Sequence, residues 1–318
     1  MRSQGDRGGM NVFVALNRAA GQIVCERVRG ALESHFRSSR MSYKIHETQK
    51  GENLSEIVRE AMRQGFNVAV AAGGDGTVSA VIDGIAGSSV PLCIIPAGTG
   101  NLIARELSIP EDIDDAVRLI AGASQTRRID AMKIGGRVFV LNASIGVSAA
   151  VIKDTTRKSK KYLGRIAYFW TTFTKIFTLK RRLIVVTADG VEQEYRAIEA
   201  AIMNCGILAK MLYPKAPEIR IDDGYLDLLI LGTKPFRDYT LYLFGILTGR
   251  TPDIISRFIK VQRSVAIRSN VPLNVQADGD MIGTTPLEIE VMPGAVTVLV
   301  PGEDAIVPSP DSGQKTAE

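Results

Sequence analysis

The fold class is indicated most clearly by the stretch Val68-Ala69-Val70-Ala71-Ala72-Gly73-Gly74-Asp75-Gly76-Thr77. In this stretch an apolar strand pattern runs directly into a glycine-rich loop. A helical pattern follows over residues 78–85. Glycines at such a junction let the backbone approach a ligand closely, and the start of the helix offers free N–H groups to an anion. The pattern predicts a phosphate-binding loop. A tight turn without a ligand is the alternative, and it is disfavoured because clustered glycines lower stability.

The same strand-then-loop pattern occurs before and after this stretch. Asn11–Leu16 reads as a strand and leads into Asn17-Arg18-Ala19-Ala20-Gly21, and Val90–Ile95 leads into Pro96-Ala97-Gly98-Thr99-Gly100-Asn101. Helical patterns separate the strands, and this alternation predicts βαβ units with a parallel sheet. Ligands of such sheets bind beyond the carboxyl ends of the strands. We therefore expect the three loops to form one nucleotide-sized pocket.

The pattern changes after Arg128, where strand signals dominate. Asp189-Gly190 and Asp278-Gly279 are typical hairpin turns, and helical patterns are confined to about residues 150–180 and 235–260. One strand is expected over Val138–Asn142, and two separate strands are expected over residues 287–292 and 296–300. The sequence thus predicts an α/β domain over residues 10–128, an antiparallel β-rich domain over residues 129–301 and a polar tail over residues 302–318.

The composition is that of an ordinary globular protein. The chain has 318 residues, of which 45% are hydrophobic and 23% charged. Three scattered cysteines (Cys25, Cys93 and Cys205) exclude a disulfide framework and a structural zinc site, and two histidines leave little material for a histidine-based metal site. The longest apolar run is well short of the ~18 residues of a membrane span, and the polar N-terminus does not resemble a signal peptide. We expect a soluble cytoplasmic protein.

The positive charge is concentrated in one segment. Residues 153–182 contain ten Lys and Arg residues and one acid, so this segment carries +9, whereas the whole chain carries +5. Its apolar residues follow helical spacing. Three interpretations of such a helix are open. It can pack in the core with solvated ends, bind an anionic membrane surface, or bind nucleic acid. The apolar spacing alone favours the core helix. Since nothing resembles a base-reading module, we expect no nucleic-acid partner.

The ordered set of motifs resembles the diacylglycerol kinase catalytic-domain family, which includes bacterial soluble lipid kinases and the sphingosine and ceramide kinases. NAD kinases and phosphofructokinases carry similar glycine motifs, so the specificity lies in the set, which extends over residues 11–301. The set comprises Gly73 to Thr77, Pro96 to Asn101 with Ala104-Arg105, Asp222-Asp223-Gly224-Tyr225-Leu226-Asp227, Asn17 to Gly21, and Asp278-Gly279-Asp280.

The resemblance implies an N-terminal α/β domain like that of NAD kinase and phosphofructokinase, a C-terminal antiparallel β-sandwich, and ATP and Mg²⁺ as cofactors. The ATP site would comprise Asn17, Arg18, Ala19, Ala20, Gly21, Thr48, Gly73, Gly74, Asp75, Gly76, Thr77, Val78, Ser79, Gly98, Thr99 and Asn101. A structural Mg²⁺ would be held by Asp223 and the main chain of Arg220 and Tyr225, and Asp75 and Asp130 would belong to an acidic network around the reactive metal. The general base would be Asp278 or Asp280.

Two positions depart from the family pattern. Leu102 stands where the family often has Asp, and Asp280 stands where it usually has Glu. The resemblance predicts an ATP- and Mg²⁺-dependent kinase acting on the hydroxyl of a diacylglycerol-like or sphingoid lipid. An NAD kinase-like enzyme for a soluble substrate and a catalytically impaired regulatory binding protein remain alternatives. A lipid kinase must meet its substrate at a surface, so peripheral docking of the basic segment on an anionic membrane is now favoured. A homodimer remains open.

Overall fold

The computed structural model describes residues 9–37, 41–122, 124–146, 149, 182–213, 216–232 and 256–302. The predicted amphipathic segment therefore lies outside the described residues, except for Arg182 at its end. The same is true of the predicted helical residues 235–255 and of the tail after residue 302. No helix in the described part of the chain combines the length and the apolar character needed to cross a bilayer.

The N-terminal part is a parallel sheet with helices packed against it. Its strands stand in the order β2, β1, β3, β4. All of β3 is buried, which agrees with the continuous apolar run that a parallel strand covered on both faces requires. The strands are β1 (Asn11–Leu16), β2 (Ser42–Glu47), β3 (Val68–Gly73) and β4 (Pro91–Pro96). The helices are α1 (Gln22–Phe36), α2 (Leu54–Arg63), α3 (Asp75–Ile85), α4 (Leu102–Glu106) and α5 (Ile113–Ala121).

The C-terminal part is an antiparallel β-sandwich with its own apolar core. Strand β9 has different neighbours along its length. Its first half pairs with β8, and its second half lies between β7 and β10. The strands are β5 (Ser124–Ile134), β6 (Arg137–Phe139), β7 (Asn142–Gly146), β8 (Arg182–Ala188), β9 (Val191–Met203), β10 (Leu226–Gly232), β11 (Ser256–Val261), β12 (Ser264–Ser269), β13 (Asn274–Ala277), β14 (Asp280–Thr284) and β15 (Leu287–Pro301). A short helix, α6 (Gly206–Leu212), follows β9. The predicted fold class is confirmed.

Strand β15 joins the two parts. Its first residues pair antiparallel with β12, whereas Thr297 and Val298 pair in parallel with Pro91 and Leu92 of β4. A register shift between Met292 and Val296 accommodates the change of neighbours. The two strands predicted over residues 287–292 and 296–300 are therefore one strand. Strand β5 also extends across the predicted boundary at residue 128.

Two other sequence-based predictions need correction. Residues 256–260 were expected to be helical, but they lie in β11, where pairing with β10 overrides the local pattern. The segment Val138–Asn142 was expected to form one strand, but β6 ends at Phe139 and β7 begins at Asn142. The chain bends there because the backbone N–H groups of residues 140–142 turn towards the carboxylate of Asp278.

Candidate active site

Asn17 connects the loops that follow three neighbouring strands. It stands directly after β1, and its Nδ2 donates a hydrogen bond to Thr77 Oγ1 (3.1 Å) at the start of α3. Its Oδ1 accepts from the backbone N–H of Ala19 (2.9 Å) and lies 3.5 Å from the Oγ1 of Thr48, which follows β2. One side chain thus holds together the segments after β1, β2 and β3. These are the segments in which the sequence places a nucleotide.

Two glycines, Gly74 and Gly98, allow the backbones of these loops to touch. A methyl group at Gly98 would lie 2.4 Å from the Cα of Gly74, and one at Gly73 would lie 2.5 Å from Thr77 Oγ1. No side chain fits at either place. A methyl group at Gly76, in contrast, would meet no atom within 4 Å. The two glycine loops are therefore in contact with each other, while the first turn of α3 faces open space at Gly76.

Asp75 connects the β3 loop to the start of α4. Its Oδ1 accepts a hydrogen bond from the backbone N–H of Ile103 (3.2 Å). Burial raises the pKa of Asp75, and backbone hydrogen bonds, first that of Ile103, oppose this rise. Asn101 has φ +48° and closes the β4 loop with two hydrogen bonds to the backbone of Gly98 (3.0 Å each). Leu102, where the family often has Asp, is half-buried and packs against the N-terminal core.

Some of the residues predicted to line the ATP site have side chains that do not face it. Val78 is buried in the N-terminal core, and the hydroxyl of Ser79 donates a hydrogen bond to Asp278. Arg18 is exposed, and its Nε lies 3.3 Å from Glu47 Oε2. Thr99 is exposed on the β4 loop. The side chain of Val78 therefore packs in the core, and that of Ser79 contacts the hairpin turn at Asp278.

Asp278 is the most densely hydrogen-bonded carboxylate of the site. Its Oδ1 accepts from the backbone N–H groups of Leu141 (2.9 Å) and Asn142 (3.0 Å). Its Oδ2 accepts from Ser79 Oγ (2.8 Å) and from the backbone N–H of Val140 (3.0 Å). Burial raises the pKa of Asp278, and these hydrogen bonds oppose the rise. A carboxylate has about four acceptor positions, so Asp278 has none left for a substrate proton.

Asp280 is placed differently, although it is only two residues further on. Asp278 (φ +46°) and Gly279 (φ +87°) form the two-residue turn of a hairpin, and Asp280 begins the returning strand β14. Gln276 supports this turn by accepting from the backbone N–H of Gly279 (3.1 Å). Asp280 is exposed, and within the described ranges no hydrogen bond or ion pair involves its carboxylate. Of the two implied base residues, Asp280 has the open carboxylate.

The residues implied for metal binding lie together but are already engaged. Asp223 Oδ1 accepts from the backbone N–H of Tyr225 (3.1 Å), and its Oδ2 lies 2.6 Å from Lys260 Nζ. Asp130 Oδ2 accepts from the backbone N–H of Gly224 (2.7 Å), and its Oδ1 accepts from that of Gly294 (2.6 Å). Burial raises the pKa of Asp130, and the nearby charge of Asp223 adds to the rise.

This arrangement does not fit a protein-bound Mg²⁺. The ammonium group of Lys260 lies against the Asp223 oxygen that such an ion would need, and backbone N–H groups take both oxygens of Asp130. Among the residues whose structure is described, no three His, Cys, Asp or Glu side chains gather where they could hold a metal. The main-chain groups of Arg220 and Tyr225, which the resemblance also implies as ligands, lie on the same loop as Asp222 and Asp223.

Sequence reasoning did not single out Lys260, Gln276 or Arg127. Arg127 donates to Asp222 Oδ2 through Nε (2.9 Å), and Lys260 stands directly opposite Asp227 in the β10–β11 ladder. The only sequence signal for Lys260 is its alternation along a strand, and residues 256–260 were expected to be helical. Strand register is needed to see the pair.

Comparison with known proteins identifies the family. Residues 11–134 match the family described as the diacylglycerol kinase catalytic domain, and residues 142–300 match the YegS C-terminal NAD kinase beta sandwich-like domain. A protein of Pseudomonas aeruginosa (strain UCBPP-PA14) named "Probable lipid kinase YegS-like" is 30% identical over 288 residues, covering 90% of this chain and 93% of that protein. The chain belongs to the diacylglycerol kinase catalytic-domain family. It is an enzyme of the lipid kinase class, a phosphotransferase.

Two other comparisons agree with this membership. A protein of the same name from Pseudomonas syringae pv. syringae is 28% identical over 289 residues, covering 90% of this chain and 92% of that one. The crystal structure of a diacylglycerol kinase from Bacillus anthracis superposes with a TM-score of 0.73 at 23% identity, covering 94% of this chain and 99% of that chain. At this identity the superposition establishes a shared fold. The lipid kinase thus has the two-part architecture seen in its structural relative.

Proposed function

We propose that this protein transfers the γ-phosphoryl group of ATP to the hydroxyl of a diacylglycerol-like or sphingoid lipid. The hydrogen bond between Ser79 and Asp278 carries this proposal, because it ties the hairpin that presents Asp280 to the N-terminal half of α3. The nucleotide side and the acceptor side of the reaction are thereby held next to each other. Phosphoryl transfer depends chiefly on such positioning and on charge stabilisation.

The nucleotide would bind over the glycine loops. The open space at Gly76 and the N-terminus of α3 suit the phosphates, since the first N–H groups of a helix are free to donate to an anion. Asn17 and Asn101 hold the loops on either side in place. The Mg²⁺ of the reaction would arrive with ATP as part of the substrate and neutralise the charge of its phosphates.

Asp280 would accept the proton of the lipid hydroxyl. As the hydroxyl oxygen forms its bond to the γ-phosphorus, the bond to the ADP oxygen breaks and the proton passes to the Asp280 carboxylate. Asp278 would position the hairpin instead of exchanging the proton, because its acceptor sites are filled. A base must come within ~2.6–3.2 Å of the hydroxyl oxygen in the complex.

The test is transfer of labelled phosphate from ATP with Mg²⁺ present. The acceptors are diacylglycerol, sphingosine, ceramide, phosphatidylglycerol and monoacylglycerol in mixed micelles, with NAD as a soluble acceptor. Asp280→Asn should lower kcat by ~10²-fold or more, since general-base catalysis contributes about that much. Glu288→Gln, at an exposed position of β15, is the matched control and should keep full activity. Transfer to NAD without transfer to lipid would overturn the proposal.

Leu102 favours a second candidate function, that of a nucleotide-binding regulatory protein with little turnover. Its side chain packs against the core where the family often carries a carboxylate. ATP binding by the wild type without transfer to any acceptor would support this candidate. Leu102→Asp is the decisive variant, because a gain of transfer would show that a carboxylate at this position limits catalysis.

We also propose that the protein works in the cytoplasm, bound peripherally to anionic membranes through residues 153–182. Each Lys or Arg near such a surface contributes about 1 kcal/mol. Charge reversal at Lys158, Lys160 and Lys161 should abolish sedimentation with vesicles of phosphatidylglycerol. The matched control reverses the exposed residues Lys44, Lys50 and Lys210. Equal loss of binding in both triple variants would argue for net charge instead of a defined segment.

A further inference from the structure

The 220–227 loop, whose last two residues begin β10, is contacted by a lysine from outside the Asp222–Asp227 motif. Lys260 projects from the neighbouring strand β11, and its Nζ lies 2.6 Å from Asp223 Oδ2. The other oxygen of Asp223 accepts the backbone N–H of Tyr225. The carboxylate is therefore satisfied on one side by its own loop and on the other side by a cation from a different strand.

Sheet register also brings Lys260 to a second carboxylate. Asp227 and Lys260 are direct partners in the antiparallel β10–β11 ladder. Asp227 is only 1% exposed, and its Oδ2 accepts no hydrogen bond from any described residue. Lys260 Nζ lies 4.0 Å from this oxygen. A nearby cation stabilises a buried carboxylate oxygen that has no hydrogen-bond donor, and within the described part of the chain Lys260 is the cation placed to do so.

Lys260 is held in this position as an ammonium group. Its Nζ lies 5.2 Å from the centroid of the Tyr225 ring, within the range of a cation–π contact. The lysine therefore contacts three residues of the loop and of β10, namely Asp223, Tyr225 and Asp227.

The other carboxylates of the loop region have their own partners. Asp222 is paired with Arg127 (Nη2 at 2.8 Å) and with Arg220 (Nε at 3.3 Å). Asp130 accepts two backbone hydrogen bonds. Among the described carboxylates of this region, Asp223 and Asp227 are the two that pair with Lys260. Removal of that single charge would thus leave one loop carboxylate and one buried carboxylate in need of a cation.

We propose that the ammonium group of Lys260 occupies the cation position of the 220–227 loop, so that this chain holds the loop with its own lysine and needs no protein-bound divalent metal. The resemblance would assign the position to Mg²⁺, and the pairing with Lys260 replaces that ion. Since the proposal concerns the protein without nucleotide, it stands independently of which acceptor the enzyme uses.

The experiment compares the full chain, free of nucleotide, as wild type, as Lys260→Met and as the control Lys133→Met. Lys133 is matched because its side chain is 47% exposed against 48% for Lys260, and because it also pairs with a carboxylate, Glu290 at 3.7 Å. Two quantities are measured: the number of Mn²⁺ ions bound, by electron paramagnetic resonance titration, and Tm in EDTA and in MgCl₂.

The wild type and Lys133→Met should bind no Mn²⁺ in the absence of nucleotide and should show the same Tm in EDTA and in MgCl₂. Lys260→Met should melt lower in EDTA by about 2 °C or more and recover in MgCl₂. It should also bind a single Mn²⁺, which Asp223→Asn in the same chain should remove. Substitution of the metal for the lysine is the signature that a merely structural ion pair would not give.

Two results would overturn the proposal. One is Mn²⁺ binding by the wild type that Asp223→Asn abolishes, since lysine and metal would then coexist. The other is a Lys260→Met variant that folds, keeps its Tm in EDTA and binds no metal. If Lys260→Met does not fold, the titration of the wild type and of Asp223→Asn still decides the first point.

Discussion

The hydroxyl of Ser79 donates a 2.8 Å hydrogen bond to Oδ2 of Asp278, although 199 positions separate the two residues in the chain. Ser79 lies near the start of α3, next to the glycine loop, and Asp278 forms the turn that presents Asp280. The bond therefore joins the side of the molecule proposed to bind the nucleotide to the side proposed to bind the acceptor. A nucleotide that orders the start of α3 would also fix the hairpin.

Ser79→Ala should lower the free energy of unfolding by about 1–2 kcal/mol, because a buried carboxylate oxygen loses one of its donors. It should also lower kcat more than it changes KM for ATP, since the hairpin of Asp280 loses its support. Urea unfolding and steady-state kinetics measure the two effects. Ser42→Ala, which removes an exposed hydrogen bond to Asn11, is the control and should cost less than ~0.5 kcal/mol. A Ser79→Ala variant indistinguishable from this control would contradict the coupling.

Gly98→Ala and Gly76→Ala should affect the nucleotide site in different ways. The methyl group of Gly98→Ala would clash with Gly74, so both stability and ATP affinity should fall. Gly76→Ala has room in the absence of ligand and should keep its stability, but ATP affinity should fall about tenfold because the methyl group occupies the space of the phosphates. Gly30→Ala, on the exposed face of α1, is the control and should gain about 0.5–1 kcal/mol. Isothermal titration with ATP measures the affinity, and unchanged binding by Gly76→Ala would exclude this placement of the phosphates.

Asp222 should make stability depend on pH in the acid range. Burial opposes its ionisation, but hydrogen bonds and charge from Arg127, and then from Arg220, outweigh burial and lower its pKa. Between the folded pKa and the unfolded value of about 3.9 the unfolded chain binds more protons. The stabilisation is therefore complete above the unfolded pKa and is lost as the pH falls through the folded pKa.

Asp222→Asn should consequently be less stable than the wild type near pH 7, by about 1–2 kcal/mol, and the two unfolding free energies should converge as the pH falls below ~4. Glu288→Gln removes an exposed carboxylate on β15 and should leave the pH profile of the wild type unchanged in the acid range. Urea unfolding at a series of pH values gives both curves. A constant difference between wild type and Asp222→Asn at all pH values would show that Asp222 contributes through packing alone.

The three cysteines should differ sharply in reactivity. Burial raises the pKa of Cys93 to about 12, and burial together with the charge of Glu106 raises that of Cys205 to about 12. Both thiols should react with an aromatic disulfide reagent only after unfolding, because the thiolate is the nucleophile. Cys25 is partly exposed, and its Sγ lies 3.8 Å from the backbone oxygen of Asn17. It should react in the native state, and ATP should slow the reaction. Cys25→Ser should remove the fast phase.

Much of the site could be predicted from the sequence because the relevant signals are local. The run from Val68 to Thr77 encodes a buried strand, a glycine loop and a helix start within ten positions, and Asp278-Gly279 encodes a turn. At the start of α2 the sequence offers both Asn53 and Ser55 as candidate caps, and the structure shows Asn53 accepting the backbone N–H of Glu56. Each of these features depends on residues that are neighbours in the chain.

What could not be predicted depends on contacts between distant segments. The local sequence pattern does not distinguish Asp278, whose carboxylate accepts four hydrogen bonds, from Asp280, whose carboxylate is exposed. Nor does it indicate that Lys260 lies opposite Asp227, since this requires the register of a strand that reads as a helix. The apolar character of Val78 suggests the core, but its place next to the glycine loop made it a candidate for ATP binding. Tertiary pairing decided each of these cases.

The passage of β15 from one part of the molecule to the other has a consequence for biosynthesis. Among the described residues, the outer edge of β4 pairs only with Thr297 and Val298, which leave the ribosome long after β4 itself. An emerging N-terminal half would therefore expose an unpaired strand edge, which is a site for wrong pairing with other chains. Translation must reach the end of β15 before the parallel sheet can close. Fragments that stop short of β15 should accordingly be prone to aggregation.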